Sequence, residues 1–240
     1  MTHKKVSWFS AGVSSAVATW IAIQNHDVEI VYIDIDNQHE DSLRFVDDCE
    51  KFFNKKIKIL KSKYKNLENV IKQFRFINSP YGAKCTQILK KRVRQEYEMQ
   101  NKIDTYVWGM DCSKKEINRA NRIKETMRNY NHIFPLIENN ISKENAHGII
   151  ESWGIKRPKM YDLGYPNNNC VGCVKGGMGY WNKIRQDFPE VFKRMSLTER
   201  EIGASCIKGI FLDELKIDKG REQKIIVPDC GMFCEQQEAR

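Results

Sequence analysis

Long apolar runs, low-complexity tracts and internal repeats are all missing from this chain of 240 residues. No hydrophobic segment approaches the ~20 residues that span a bilayer, and the first residues lead into a strand without the pattern of a signal peptide. We therefore expect a soluble, cytoplasmic protein with no membrane partner. A chain of this length buries a full core without disulfide bonds, which suits one α/β domain with a C-terminal extension.

Two common phosphate-binding motifs are also absent. The first strand-to-helix turn contains neither Gly-x-x-x-x-Gly-Lys-Ser/Thr nor Gly-x-Gly-x-x-Gly. Instead, residues 10–15 read Ser-Ala-Gly-Val-Ser-Ser, between a β-prone segment and an apolar helix. Small side chains expose backbone N–H groups at the positive end of a helix dipole, which indicates an anion site. We expect the backbone from Gly12 onward and the hydroxyls of Ser10, Ser14 and Ser15 to hold a phosphate or sulfate.

Acidic residues are in the minority: 40 Lys and Arg stand against 31 Asp and Glu, for a net charge of +9. The basic residues concentrate in residues 55–65, 84–94 and 114–128 rather than in a tail. A distributed basic surface suits a nucleic acid such as tRNA or DNA, or a phosphate-rich small molecule. It equally suits a protein with a solvated Lys-rich face, so the charge alone leaves both open.

Eight cysteines in a chain with no sign of secretion favour metal or redox chemistry over disulfide bonds. Cys170 and Cys173 form a Cys-x-x-Cys pair. Cys230 and Cys234 form a Cys-x-x-x-Cys pair near the C-terminus. Two close pairs separated by a long connection are typical of a zinc or iron–sulfur site. Three other cysteines stand alone and suit incidental buried thiols: Cys49, Cys112 and Cys206.

Strand and helix patterns alternate over the first half of the chain. β-Branched segments predict strands at 5–9, 28–35, 57–60 and 105–108. Apolar periodicity predicts helices at 13–25, 40–53, 67–74, 88–99, 114–130, 182–195 and from the N-cap Ser142 to about Trp153. This alternation implies a parallel, doubly wound sheet with its ligand site beyond the carboxyl ends of the strands. We expect a nucleotide-binding core over 1–140 and a helical, irregular extension with the paired cysteines over 141–240.

Five segments, in order, carry a family resemblance. The loop at 10–15 resembles the Ser-Gly-Gly-x-Asp-Ser PP-loop of the ATP pyrophosphatase superfamily. The other segments are an acidic strand end with Asp34, a Cys-x-x-x-x-Lys segment beginning at Cys85, Gly109 with the following Arg119, and Tyr-Asp-Leu-Gly-Tyr-Pro-Asn-Asn-Asn-Cys-Val-Gly-Cys at 161–173. Together they are similar to the phosphoadenosine phosphosulfate (PAPS) reductase-like branch of that superfamily, over residues 5–195.

The resemblance implies an adenine nucleotide alpha hydrolase-like fold that binds ATP or PAPS, with Mg²⁺ as a further cofactor. Asp34 would bind adenosine or the metal, Gly109 would lie at the nucleotide, and Arg119 would pair with phosphate. Ala11 replaces a motif Gly, which a tight loop accommodates when φ is negative. Ser14 replaces a motif Asp that could serve Mg²⁺. The two departures favour nucleotide binding over ATP cleavage.

The cysteines fit two chemistries. The four paired thiols would form a zinc or iron–sulfur site; the resemblance adds that iron–sulfur members of the branch also take a ligand from the position of Cys85. A [4Fe-4S] cluster would then use Cys85, Cys170 and Cys173 with a fourth ligand from the tail. Under the second chemistry, Asp229-Cys230-Gly231 resembles the Glu-Cys-Gly of PAPS reductases, whose thiol attacks the sulfonucleotide sulfur. Cys230 and Cys85 are accordingly the candidate catalytic thiols.

Three functions follow from these observations. The first is ATP-dependent sulfur transfer to a nucleic acid, assisted by a cysteine-ligated metal or cluster and supplied by a thiol or sulfur-donor protein. The second is reduction of a sulfonucleotide with Cys230 as nucleophile. The third is a non-catalytic nucleotide- or nucleic-acid-binding module with structural zinc. The basic charge and the paired cysteines favour the first.

Overall fold

A computed structural model describes residues 4–79, 82–221 and 226–229 of the chain. Five strands form one sheet: β1 (Lys4–Phe9), β2 (Val28–Asp34), β3 (Ile57–Lys61), β6 (Ile103–Val107) and β7 (Asn131–Ile133). A separate antiparallel hairpin pairs β4 (Asn78–Ser79) with β5 (Gly82–Ala83). The strand order in the sheet is β3-β2-β1-β6-β7, and all neighbours are parallel. The order reverses between β1 and β6, so a ligand site is expected beyond the carboxyl ends of these two strands.

Helices connect the strands and cover the sheet. They are α1 (Val13–Asn25), α2 (Asp41–Phe53), α3 (Leu67–Phe74), α4 (Val93–Gln100), α5 (Lys114–Thr126), α6 (Pro135–Glu138), α7 (Lys143–Ser152), α8 (Lys159–Asp162), α9 (Met178–Asp187) and α10 (Pro189–Ile202). A π-helix spans Thr86–Arg92, and a 3-10 turn spans Leu212–Glu214. Among the helices of the described ranges, none combines the length and the apolar character that a bilayer crossing requires.

The two faces of the sheet bury different hydrophobic clusters. Successive strand residues point to opposite faces, so Ile30 and Val31 of β2 belong to separate clusters. Ile30 packs with α1, α2 and α7, whereas Val31 packs with Tyr106 of β6 and Tyr97 of α4. Both faces are therefore covered, and the predicted α/β class with a doubly wound parallel sheet is confirmed.

Several predicted elements coincide with the structure. α1 and α3 have the predicted bounds. Ser142 caps α7 as expected: its hydroxyl accepts the Asn145 N–H at 3.1 Å, and the Asn145 side chain accepts the Ser142 N–H at 3.2 Å. This reciprocal arrangement satisfies two donors that would otherwise lack partners at the helix start.

Other elements differ for local reasons. The segment predicted as one helix at 182–195 is helical but belongs to two helices, because Pro189 has no N–H to continue a helix and instead begins α10 after α9 has ended. The helix predicted at 88–99 starts as the π-helix and becomes α4 at Val93. The division at residue 140 stays a prediction; in the structure, Ile149 and Ile150 of α7 share a cluster with Val17 of α1.

Candidate active site

The loop at residues 10–15 joins β1 to α1 at the point where the strand order reverses. Ala11 is fully buried and has φ 53°, in the left-handed region, whereas Gly12 has φ −105°. The negative φ under which a tight loop accommodates alanine is therefore not met at Ala11. A left-handed alanine costs about 1 kcal/mol, so the surroundings must hold this conformation in place.

The hydroxyl of Ser15 holds the loop together. It accepts hydrogen bonds from the Ser10 N–H at 3.1 Å and the Ser10 hydroxyl at 3.0 Å, and donates to the Gly12 carbonyl at 2.8 Å. Its proton is thus used inside the loop rather than offered to a ligand. In the described part of the chain, the Ser14 hydroxyl and the backbone N–H groups of Ser14 and Ser15 have no partner, which leaves them for an anion at the start of α1.

Two side chains from the second half of the chain fix this loop. The amide of Asn168 is buried and donates to the Ala11 carbonyl at 2.6 Å and to the Ser42 hydroxyl of α2 at 3.0 Å. The hydroxyl of Tyr161, also buried, accepts the Val13 N–H at 3.4 Å. The segment that carries the paired cysteines therefore also positions the loop.

Gly109 lies against the start of α1. A Cβ on Gly109 would fall 2.5 Å from the Ser15 Cα and 2.8 Å from the Ser15 N, both of them backbone atoms. Only glycine permits this approach. The loop after β6 and the loop after β1 therefore meet, as expected for strands whose carboxyl ends share one crevice.

Asp34 ends β2 at the same edge of the sheet and is already paired. Its carboxylate lies 2.8 Å from the Lys61 ammonium, and its side chain is 12% exposed. The hydrogen bond to Asp34 raises the pKa of Lys61. A nucleotide or metal at Asp34 would therefore meet a carboxylate whose charge Lys61 partly neutralises.

Arg119 lies on α5 and lines an open cleft of about 830 Å³. Its guanidinium lies 3.1 Å from the Glu116 carboxylate, and its side chain is 57% exposed. The described lining of the cleft contains no Asp or Glu and includes four basic residues and two aromatic rings: Lys84, Lys91, Arg119, Lys175, Phe74 and Phe76. Such a lining is suited to a polyanion with bases that stack.

The cysteines gather beside this cleft. Cys85, Cys170 and Cys173 are half-buried, and burial followed by the nearby Cys173 thiol raises the pKa of Cys85. Cys206, which the sequence placed among incidental thiols, faces the same group: burial and Glu199 raise its pKa first, then Cys173 and Cys85. Within residues 4–79, 82–221 and 226–229, no three Cys, His, Asp or Glu side chains close around a single metal ion. Cys230 and Cys234 lie outside the described residues.

The fold and the loop define a nucleotide-binding α/β domain of the PP-loop class. The Phosphoadenosine phosphosulfate reductase domain family matches residues 4–176, and the chain belongs to this family. The predicted resemblance is thus confirmed, and with it an adenine nucleotide as the ligand class of the family.

Two similar proteins come from Methanocaldococcus jannaschii. The uncharacterized protein MJ0066 is 26% identical over 206 residues, which cover 80% of this chain and 41% of that protein. The chain thus spans about two fifths of the length of this curated relative. A solved structure described as a predicted subunit of tRNA methyltransferase has 15% identity and a TM-score of 0.33, covering 66% of this chain and 91% of its own.

Sequence reasoning missed three residues that shape the site. Asn168 and Tyr161 were quoted only as part of a family motif, although Asn side chains in turns often hydrogen-bond to backbone groups. Cys206 was set aside because no second cysteine lies near it in the sequence. Its proximity to Cys85 and Cys173 arises from tertiary packing, which spacing does not show.

Proposed function

We propose that the protein binds ATP at the loop of residues 10–15 and transfers sulfur to a nucleic acid that lies in the basic cleft. The observation that best supports this proposal is that the loop and the basic cleft adjoin one another. Gly109 packs on Ser15 of the loop, Arg119 follows on α5 and lines the cleft, and Lys84, beside Cys85, lines it too. A phosphate on the loop and an acceptor in the cleft would therefore be neighbours.

The proposed reaction has three steps. An acceptor oxygen attacks the α-phosphorus of ATP, pyrophosphate leaves, and the acceptor carries AMP on that oxygen. A thiol reduces the persulfide of a sulfur-donor protein, which forms a disulfide and releases hydrosulfide. The hydrosulfide then attacks the acceptor carbon, and AMP leaves with the oxygen. The free N–H groups at the start of α1 would stabilise phosphate charge, and Arg119 would neutralise it from the cleft side. Mg²⁺ would join the triphosphate rather than Ser14, which has no carboxylate.

The test combines anaerobically purified protein with ATP, Mg²⁺, sodium hydrosulfide and either tRNA or DNA. The proposal expects AMP, pyrophosphate and nucleosides in which sulfur replaces oxygen, identified by mass spectrometry. Arg119→Ala should lower product formation, because it removes a cation from the cleft. ATP binding without any turnover on either nucleic acid would overturn the sulfur transfer and favour the non-catalytic module with structural zinc.

Sulfonucleotide reduction is the second candidate. It is favoured by Asp229-Cys230-Gly231 and by Ser14, which replaces the motif Asp. Its assay is sulfite release from PAPS with a dithiol reductant, and Cys230→Ser should abolish the release. The cysteine-ligated site, whether zinc or iron–sulfur, and the cytoplasmic location belong to the same set of proposals. Metal analysis of the anaerobic protein separates zinc from iron.

A further inference from the structure

Three segments that carry cysteines meet at Asn78, a residue of β4. Its backbone pairs with Ala83 of β5, two residues before Cys85. Its side-chain amide donates to the carbonyl of Val174, which follows Cys173, at 2.5 Å. The same amide donates to the carbonyl of Cys206 at 3.1 Å. One half-buried amide therefore ties together the backbone around Cys85, Cys173 and Cys206, although 121 residues separate the first from the last.

Hydrogen bonds to the Tyr180 side chain also fix the turn between Cys170 and Cys173. The hydroxyl of Tyr180 accepts the Cys173 N–H at 2.8 Å and donates to the Cys170 carbonyl at 3.2 Å. Gly172 between them has φ 78°, and a Cβ there would lie 2.7 Å from the side chain of Val191. The turn thus presents its two thiols in one defined arrangement.

Cys206 is held by a buried carboxylate. Glu199 of α10 is completely buried and accepts the N–H groups of Cys206 at 2.5 Å and of Leu212 at 2.6 Å. These two bonds fix the backbone of Cys206 and explain why a carboxylate is tolerated in this core. Cys206 packs in the same hydrophobic cluster against which Cys85 and Cys170 lie.

We propose that Cys206 is the fourth ligand of an iron–sulfur cluster whose other ligands are Cys85, Cys170 and Cys173. This assignment replaces the tail cysteines and rests on the cysteine-ligated site of the proposed function. Four thiols are the donor set that a [4Fe-4S] cluster requires. The described side chains do not close around a single ion. A cluster carries its own iron and sulfide, and each of its iron atoms takes one thiolate, so the four thiols need not converge on one point.

Ligand substitution in the full-length chain tests the assignment. After anaerobic purification, we expect about four iron and four sulfide per chain, with broad absorbance near ~400 nm. Cys206→Ser should lose iron, sulfide and absorbance as completely as Cys170→Ser does, whereas Cys230→Ser and Cys234→Ser should retain them. Cys49→Ser is the burial-matched control, because Cys49 is also buried but belongs to a different cluster. It should keep the full cluster.

A second measurement avoids dependence on the folding of a variant. Alkylation of the native wild-type protein should spare Cys85, Cys170, Cys173 and Cys206 until a chelator removes iron. Asn78→Ala should retain iron about tenfold less well against a chelator, as expected when a positioning residue is lost. Any of three results would overturn the assignment: Cys206→Ser retains iron, Cys206 is alkylated at the same rate before and after chelation, or the protein contains zinc in place of iron. Calorimetric titration with ATP tests the nucleotide site separately, so the two proposals can fail independently.

Discussion

At the residue scale, Ala11 holds the one left-handed backbone conformation within the loop of residues 10–15. The loop places the left-handed conformation on alanine at φ 53° and leaves Gly12 in an extended one. The hydrogen bond from Asn168 to the Ala11 carbonyl is one contact that maintains it. Strain held in this way keeps a ligand loop in a single conformation before the ligand arrives.

Substitution of Ala11 by glycine should leave stability near the wild-type level. It relieves about 1 kcal/mol of left-handed strain and adds a similar entropic cost. Ala16→Gly is the matched control, because Ala16 is equally buried but lies in α1. Ala16→Gly relieves no left-handed strain and should lower the free energy of unfolding by about 1 kcal/mol. Urea denaturation measures both, and equal losses in the two variants would contradict the role of the φ angle.

Asn168→Ala should weaken both stability and nucleotide binding. It leaves the Ala11 carbonyl and the Ser42 hydroxyl without their buried donor, at a cost of about 2 kcal/mol. The neighbouring Asn169 is exposed, so Asn169→Ala serves as the control. Melting temperature and calorimetric titration with ATP are the measurements. If both variants bound ATP as the wild type does, Asn168 would have no part in shaping the loop.

At the scale of elements, the contact between the loop after β1 and the loop after β6 shapes the candidate nucleotide site. Gly109→Ala should displace the start of α1, because its Cβ would overlap backbone atoms of Ser15. We expect ATP affinity to fall at least tenfold, with a loss of stability of about 1–3 kcal/mol from overpacking. Gly177→Ala is the control, since a Cβ on Gly177 meets nothing within 4 Å. Unchanged affinity in Gly109→Ala would show that the loops do not meet in solution.

Elements with a strong local signal were predictable, and those set by tertiary contacts were not. The apolar spacing predicted α3 with its correct bounds, and in the structure Asn66 caps its start; both signals act within a few residues. The apolar pattern of 182–195 runs across Pro189, so periodicity alone joined two helices. The loop was proposed from its small residues and its place before a helix, and Gly109 and Arg119 were proposed from motif resemblance. Asn168 and Cys206, by contrast, act through partners more than a hundred residues away.

At the scale of the whole molecule, a buried histidine should make stability depend on pH. His147 is 2% exposed, its two ring nitrogens have no partner among the described residues, and its ring meets Tyr161 edge-on at 4.5 Å. Burial, followed by the charges of Arg157 and Lys143, lowers its pKa from 6.5 to about 4. Between these values the unfolded chain binds a proton that the folded chain does not.

The free energy of unfolding should therefore be highest above pH 6.5 and fall as the pH drops toward 4, by up to about 3 kcal/mol from this residue. His147→Phe keeps an aromatic ring beside Tyr161 and should reduce the difference in stability between pH 7 and pH 4.5. His26→Gln, at the half-buried C-cap of α1, controls for loss of a histidine. Urea denaturation of each variant at pH 7 and pH 4.5 measures this difference in stability. If His147→Phe showed the same difference as the wild type, the pH dependence would come from other groups.

At the scale of the whole molecule, the basic cleft is one part of a surface with a net positive charge. A net charge of +9 attracts any polyanion, but only residues that contact phosphates set the slope of affinity against salt. Lys91→Gln removes one cation from the cleft lining and should lower that slope by about 0.9 for a duplex or 0.7 for a single strand. Lys156→Gln removes an equal charge from an exposed position outside the cleft and should leave the slope unchanged. Fluorescence anisotropy with labelled RNA and DNA at several salt concentrations measures the slope for each variant. Equal slopes for the two variants would mean that the nucleic acid binds to the general positive charge of the surface and not to the cleft.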